Sequence, residues 1–180
     1  LLPCRPVSDL YGGERLTMEE PSSLVGRWVN NVSLRRANQI IQPMLPWLTS
    51  ESGSIMDFGC GLGHAGWQIS KNTGRCVTYV DVKKYPYVCP GVEIQLFDGK
   101  TLPYSSSGFH TSMAVLVLHH TPSPRDSLAE VRRVTEKRII VYEDLIRSRA
   151  EWNAEAIKDT ITNGFLPHMT YQYKTEGEWE

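Results

Sequence analysis

From Ser54 onward the chain alternates short β-rich runs with helix-like stretches, and this alternation restricts the fold more than any other feature. Ile55 to Phe58, Cys76 to Val80, Val92 to Phe97, Thr111 to Leu118 and Arg138 to Tyr142 have strand length and strand composition. Ala65 to Lys71, Pro124 to Glu136 and Ala150 to Thr162 have helical spacing. The fourth strand is almost unbroken in apolar residues, as required when both faces of a sheet are covered. Repeated strand–helix units predict an α/β fold: a doubly wound, mostly parallel sheet sandwiched by helices, with right-handed crossovers. Ligands of such sheets bind beyond the carboxyl ends of the strands. Asp57, Asp81, Asp98 and Glu143 all fall at those ends, so one crevice can see several of them.

Before the alternation begins, residues 1–23 are rich in Pro, Gly, Ser and charge and read as an irregular arm. Ser33 to Leu48 reads as an amphipathic helix with Ser33 as its cap, kinked or ended by Pro43 and Pro46. The division expected is therefore an arm and helix over 1–50 and a core over 51–180. A length of 180 residues suits one globular domain. No apolar run reaches membrane-spanning length, so no membrane partner is expected. The net charge of −1 gives no support to a dedicated nucleic-acid binder. Arg132, Arg133, Lys137 and Arg138 cluster locally and read as a solvated helix face. Cys4, Cys60, Cys76 and Cys89 form no C-x-x-C pair and read as free thiols of a reducing, cytoplasmic compartment. The chain begins with Leu1, so it is either cut from a longer polypeptide or an expressed segment.

The chemistry concentrates in Asp57-Phe58-Gly59-Cys60-Gly61-Leu62-Gly63-His64. The glycines permit left-handed backbone and let a ligand approach the main chain closely. The loop joins a strand to a helix start, where free N–H groups favour polar or anionic groups. Cys60 occupies a position that needs a small residue, so it reads as packing and not as a nucleophile. Asp81 closes the next strand, where an acid can accept hydrogen bonds from ribose hydroxyls. A bare strand-to-helix turn with no ligand is the plainer reading of the glycines. The strand, helix and distant acid in sequence argue against it.

Two nucleoside cofactors compete for such a loop. A dinucleotide fingerprint is G-x-G-x-x-G, but here His64 takes the last position and the third glycine comes early. Asp57 would repel a pyrophosphate and draw a cationic amino group. Asp98 adds an acceptor suited to an adenine amine. Three carboxylates around one crevice suit a cationic sulfonium nucleoside better than a dianion.

These stretches resemble the class I S-adenosylmethionine-dependent methyltransferases, in particular the type 11 group, with its Rossmann-like core. The resemblance is carried by Ile55 to Gly63, Tyr79-Val80-Asp81-Val82, Leu96-Phe97-Asp98-Gly99, Gly108-Phe109, Val115 to His120 and Leu128 to Val134. It implies S-adenosyl-L-methionine as cofactor. It also implies that Phe58, Gly59, Cys60 and Gly61 pass under the methionine part, with Asp57 near its amino group. Asp81 would hold the ribose, and Val82 would pack on the adenine. Asp98 would bond the adenine amine beside Gly99. Val115 and Leu116 would lie under the cofactor and face the acceptor.

The same resemblance puts a histidine near the site, which makes His120, and its neighbour His119, candidates for catalysis. Only one of two adjacent histidines can face a given site. No metal site is expected, because His64, His110, His119, His120 and His168 have no ligand spacing. Segments flanking the core build the substrate lid in relatives, which gives the 1–50 region that role. Tyr11, Trp28, Trp47, Tyr171, Tyr173 and Trp179 are either lid aromatics or plain packing. The acceptor expected is a small molecule, with protein or RNA open; no Asn-Pro-Pro-Tyr motif for base amines is present.

The chain departs from relatives in three places. His110 replaces an Asp, and Thr135-Glu136-Lys137 replaces a glycine turn. At the end, Thr175 to Glu180 looks like a helix's first turn where relatives continue into an antiparallel strand pair. That pair is truncated, or replaced by Leu166 to Tyr173, and a dimer contact or missing segment would then cover the sheet edge. A cofactor-binding module without turnover, and a nicotinamide-dependent oxidoreductase, are the alternatives.

Overall fold

The computed structural model describes residues 24–85, 87–162 and 173–179. Its order is α1 (Leu24–Ile41), α2 (Leu45–Thr49), β1 (Ile55–Phe58), α3 (His64–Thr73), β2 (Val77–Asp81), β3 (Ile94–Leu96) and β4 (Phe109–Val115). A single 3-10 turn (Leu118–His120) precedes α4 (Pro124–Val134), β5 (Thr135–Tyr142), α5 (Arg149–Thr162) and α6 (Glu176–Trp179). The strands form one five-stranded sheet in the order β3-β2-β1-β4-β5. Every pairing is parallel, with Ile55 between Val77 and Thr111 at the start of β1. The α/β architecture read from the alternation is therefore the one present.

Alternate residues of each strand face opposite layers. Ile55 on β1 joins Ile41, Met44, Leu48, Ile69, Val77 and Met113 in the core under α1, α2 and α3. Met56 and Phe58 join Val80, Leu102, Leu118, Val131 and Val134 in the core under α4. Ser123 caps α4 through a bond from the Asp126 N–H, and Pro124 opens it, as an N-terminal proline should.

Several expectations are corrected. The first helix starts at Leu24, not Ser33, and a turn around Pro43 separates it from α2. The third strand is three residues long, and β4 stops at Val115, short of Leu118. The basic cluster is not simply a solvated face. Arg133 pairs with Glu130 at 2.6 Å and donates to the Tyr104 and Leu102 carbonyls, clamping the loop before β4. Cys60 and Cys89 are free thiols, but Cys76 is disulfide-bonded, which corrects the reading of free thiols throughout. Of Leu166 to Tyr173, only Tyr173 lies within the described residues. Among those residues no strand pairs with the outer edge of β5. None of the described helices is long and apolar enough to cross a membrane.

Candidate functional site

The loop between β1 and α3 passes over the carboxyl end of the sheet. Gly59 and Cys60 both donate backbone N–H bonds to the Val80 carbonyl, at 2.8 and 3.1 Å, which ties the loop to the end of β2. Gly59, Gly61 and Gly63 have φ of +66°, +56° and +79°. A Cβ on Gly59 would lie 2.0 Å from Cγ2 of Val117, and one on Gly63 would lie 2.6 Å from Cγ1 of Val92. These two glycines are filled on the protein side. Gly61 differs: a Cβ there meets nothing within 4 Å. The loop thus presents one bare, left-handed backbone position to open space.

Asp81 closes β2 beside it. Its Oδ2 accepts the Gly61 N–H at 2.8 Å, and its Oδ1 accepts the Val82 and Lys83 N–H groups at 2.7 and 3.3 Å. Burial raises the Asp81 carboxyl above its ordinary range, and the three N–H bonds oppose that rise. Three accepted bonds do not exhaust a carboxylate's lone pairs, so it can still accept from a bound hydroxyl. Val82 follows, 57% exposed as a residue, an unusual setting for valine. A Cβ on Gly99 would sit 3.4 Å from Cγ1 of Val82, so the ends of β2 and the segment after β3 meet there. Asp98 is fully exposed, and its Oδ1 accepts the Lys100 and Thr101 N–H groups, which lower its pKa. Gly61, Asp81, Val82, Asp98 and Gly99 are thus brought to one rim.

Asp57 is turned the other way. It sits on the α3 face of β1, is 1% exposed, and accepts the Gly66 N–H at 3.1 Å. Burial pushes its carboxyl up to about 7, against the Gly66 bond, with nearby Asp81 adding to the rise. Its carboxyl therefore lies beneath the helix start rather than out in the crevice. The Phe58 side chain is likewise interior, 5.7 Å from the Phe97 ring, so only its backbone belongs to the loop. Burial, then Asp57 and Asp81, push the Cys60 thiol far up, which agrees with a packing role.

The fourth strand ends in an unusual turn. Val115 and Leu116 are half-buried, and Leu116 has φ of +51°, rare for a residue with a side chain. His119 is 1% exposed, with Nδ1 2.5 Å from Oε2 of Glu143 and its ring stacked on Tyr173 at 4.6 Å. His120 is half-buried, its ring 3.9 Å from that of His119. Of the two histidines, His120 keeps the larger share of solvent exposure.

One residue at this rim, Asn30, went unread in the sequence, and a second, Glu143, was read with a different role. Asn30 on α1 bonds Nε2 of His64 through Oδ1 at 2.8 Å, both groups buried; burial lowers the His64 pKa to about 4. Glu143 was grouped with the crevice acids, but its carboxylate is spent on the turn after β4. Only the spatial neighbourhood of β4 and β5 reveals that. Among the described residues, no group of three or more His, Cys, Asp or Glu is arranged to hold a metal ion.

Comparison with known proteins agrees with this fold. Residues 56–141 match the family model described as a methyltransferase domain, of the type 11 group. No curated protein matches the chain in sequence. Among solved structures, it is similar to a SAM-dependent methyltransferase of Thermotoga maritima described as a possible histamine N-methyltransferase. That match has 15% identity and a TM-score of 0.58, covering 84% of this chain and 69% of the other. A SAM-dependent methyltransferase from Aquifex aeolicus aligns at 16% identity and a TM-score of 0.56, over 74% of this chain and 86% of that one. The 1,6-didemethyltoxoflavin-N1-methyltransferase of Burkholderia thailandensis, solved with its substrate and S-adenosylhomocysteine, aligns at 17% identity and a TM-score of 0.54. There the match covers 84% of this chain and 65% of the other.

Proposed function

We propose that the chain, whose residues 56–141 match a methyltransferase domain, takes a methyl group from S-adenosylmethionine and transfers it to a small molecule. The observation that carries this reading is the shared rim: an open left-handed glycine at Gly61, the Asp81 carboxylate bonded to it, and an exposed Val82 against Gly99. These residues fit the donor. The Gly61 backbone has room for the methionine chain, Asp81 has acceptor capacity for the ribose, and Val82 with Gly99 offers an apolar slot for adenine. The unused oxygen of Asp98 suits the adenine amine.

When bound, the donor supplies a methyl group made electrophilic by its own sulfonium charge. The protein's task is placement and exclusion of water, and good orientation alone contributes about 7–11 kcal/mol to such reactions. Val115 and Leu116, at the end of β4 beside the glycine loop, form the wall on the acceptor side. His120 is the residue placed to take a proton, if the acceptor carries one at working pH. His119 is held inside by Glu143 and acts on the shape of the turn. Asp57 steadies the helix start behind the loop. Of the 1–50 region read as the lid, residues 1–23 lie outside the described residues, and α1 and α2 pack into the core layer.

A small acceptor fits the net charge of −1, which gives no support to a nucleic-acid partner. Titration calorimetry tests the reading: S-adenosylhomocysteine should bind with measurable heat and NAD should not. Release of S-adenosylhomocysteine from the methylated donor, in the presence of candidate amines, phenols and heterocycles, then identifies the acceptor. Heat with NAD and none with S-adenosylhomocysteine would overturn it.

A further inference from the structure

Glu143 lies just past the end of β5, and its carboxylate is almost wholly withdrawn from solvent, the side chain 5% exposed. Both oxygens are committed to the neighbouring turn after β4. Oε1 accepts the Val117 N–H at 2.9 Å and the Leu118 N–H at 2.7 Å; Oε2 meets Nδ1 of His119 at 2.5 Å. The turn it holds contains Leu116 in left-handed backbone, anchored on its other side by a bond from the Leu116 N–H to the Tyr142 carbonyl at 2.7 Å. A left-handed leucine persists only where its surroundings hold it there. The turn's next side chain, Val117, occupies the space that a Cβ on Gly59 would need.

We infer that Glu143 is a positioning residue: it locks the turn after β4 in a strained path that seats Val117 against the glycine loop and sets the acceptor-side wall. The inference rests on the methyl-donor reading for its purpose, though not for its geometry. The chain of contact runs from Glu143 through two backbone N–H groups to Val117, and from Val117 to Gly59. A second branch runs through His119, whose ring stacks on Tyr173 with planes 23° apart, and Tyr173 meets Trp152 edge-on at 6.1 Å. Tyr173, shortly before α6, is thereby tied to the same carboxylate. A carboxylate already accepting two N–H bonds takes a third from the ring, so His119 carries its hydrogen on Nδ1. The ring is thereby oriented with Nδ1 toward the carboxylate.

Four variants test this: E143A, E143Q, L116G and the double variant E143A/L116G. Amide exchange without ligand should speed up about 100-fold at Val117 and Leu118 in E143A, while the β1 amides stay protected. Affinity for S-adenosylhomocysteine, measured by calorimetry, should fall about tenfold. Adding L116G removes the strain that Glu143 restrains, so E143A/L116G should recover to within about threefold of L116G alone. A residue that merely props up the fold would not be rescued by a glycine at 116. In E143Q the amide turns an N–H toward His119, so the ring 15N shifts should report the Nε2–H tautomer where the native chain reports Nδ1–H. This keeps the test open if E143A does not fold. Unchanged exchange at Val117 and Leu118, an unprotonated Nδ1 in the native chain, or a double variant no tighter than E143A would each overturn the inference. A native chain that gives no heat with S-adenosylhomocysteine would sink the proposed function instead, and exchange and tautomer would then decide the role of Glu143 alone.

Discussion

The two ends of the sheet solve opposite electrostatic problems. At the carboxyl ends of the strands, carboxylates hold backbone N–H groups: Asp57 takes Gly66, Asp81 takes Gly61 and Val82, and Glu143 takes Val117 and Leu118. At the amino ends a buried cation holds carbonyls. Arg75, 5% exposed, donates to the Leu48 and Gly53 carbonyls at 3.1 and 2.8 Å and to the Thr111 hydroxyl at 3.0 Å. Beside it Glu51 pairs with Arg138 at 2.9 Å, and Arg138 lies over the Trp47 ring. Helix starts expose N–H groups and helix ends expose carbonyls, so acids collect at one rim and arginines at the other. The difference is in what remains open. The arginine rim ties its groups to one another. The acid rim keeps an open Gly61, an exposed Val82 and a spare oxygen on Asp98. Stability is concentrated at one end, and ligand capacity at the other.

Removing the cation should have the largest effect on stability. Arg75→Met leaves buried carbonyls without donors, at a cost of about 3–5 kcal/mol, or roughly 10 °C in Tm by scanning calorimetry. Affinity of the folded fraction for S-adenosylhomocysteine should stay within about twofold of the native chain, because Arg75 lies at the far end.

Asp57 gives the acid rim a pH signature. Its folded pKa of about 7 lies above its ordinary value of 3.8, so the folded state holds its proton more tightly than the unfolded chain. Its contribution is greatest below the unfolded value and is lost as pH rises through about 7. The stability advantage of the native chain over Asp57→Asn should therefore shrink by about 2 kcal/mol between pH 5 and pH 8, as urea unfolding would measure. A gap that is flat with pH would mean that the carboxyl titrates normally.

A pair of glycines sharpens the contrast at smaller scale. Gly61 and Gly74 have φ of +56° and +66°, and a Cβ on either meets nothing within 4 Å. Alanine should cost each about 1 kcal/mol of stability, for the same backbone reason. Only Gly61→Ala should also weaken S-adenosylhomocysteine binding, by about 30-fold or more, since only its open side faces the proposed ligand. Equal affinities would show that Gly61's open space is not the site.

Legibility in the sequence followed the range of the contacts involved. Strand β1 was readable residue for residue because its apolar run ends in glycines. That the strands run parallel followed from alternation alone, whereas their order in the sheet was not read. The start of α1 was not readable. Gly26, Asn30, Ala37 and Ile41 face inward on it, while Leu24, Trp28 and Val32 face out, which inverts the usual apolar stripe. The end of β4 was missed because Glu143, just past the end of β5, takes the N–H groups that would have continued the ladder. Asp81, Val82, Asp98 and Gly99 could be placed at the rim because strand ends announce themselves locally. Asp57 could not be aimed, because which face it occupies depends on strand register against α3.

The central claim is that the acid rim, and not the fold at large, holds the adenosyl donor. Thermal unfolding of the native chain, Arg75→Met and Asp81→Ala, each with and without S-adenosylhomocysteine at about 100 times the native Kd, tests it most directly. The account predicts a ligand-induced rise of about 5–10 °C in the native chain and an equal rise in Arg75→Met from a lower baseline. Asp81→Ala should show almost none. An equal rise in Asp81→Ala would contradict the claim.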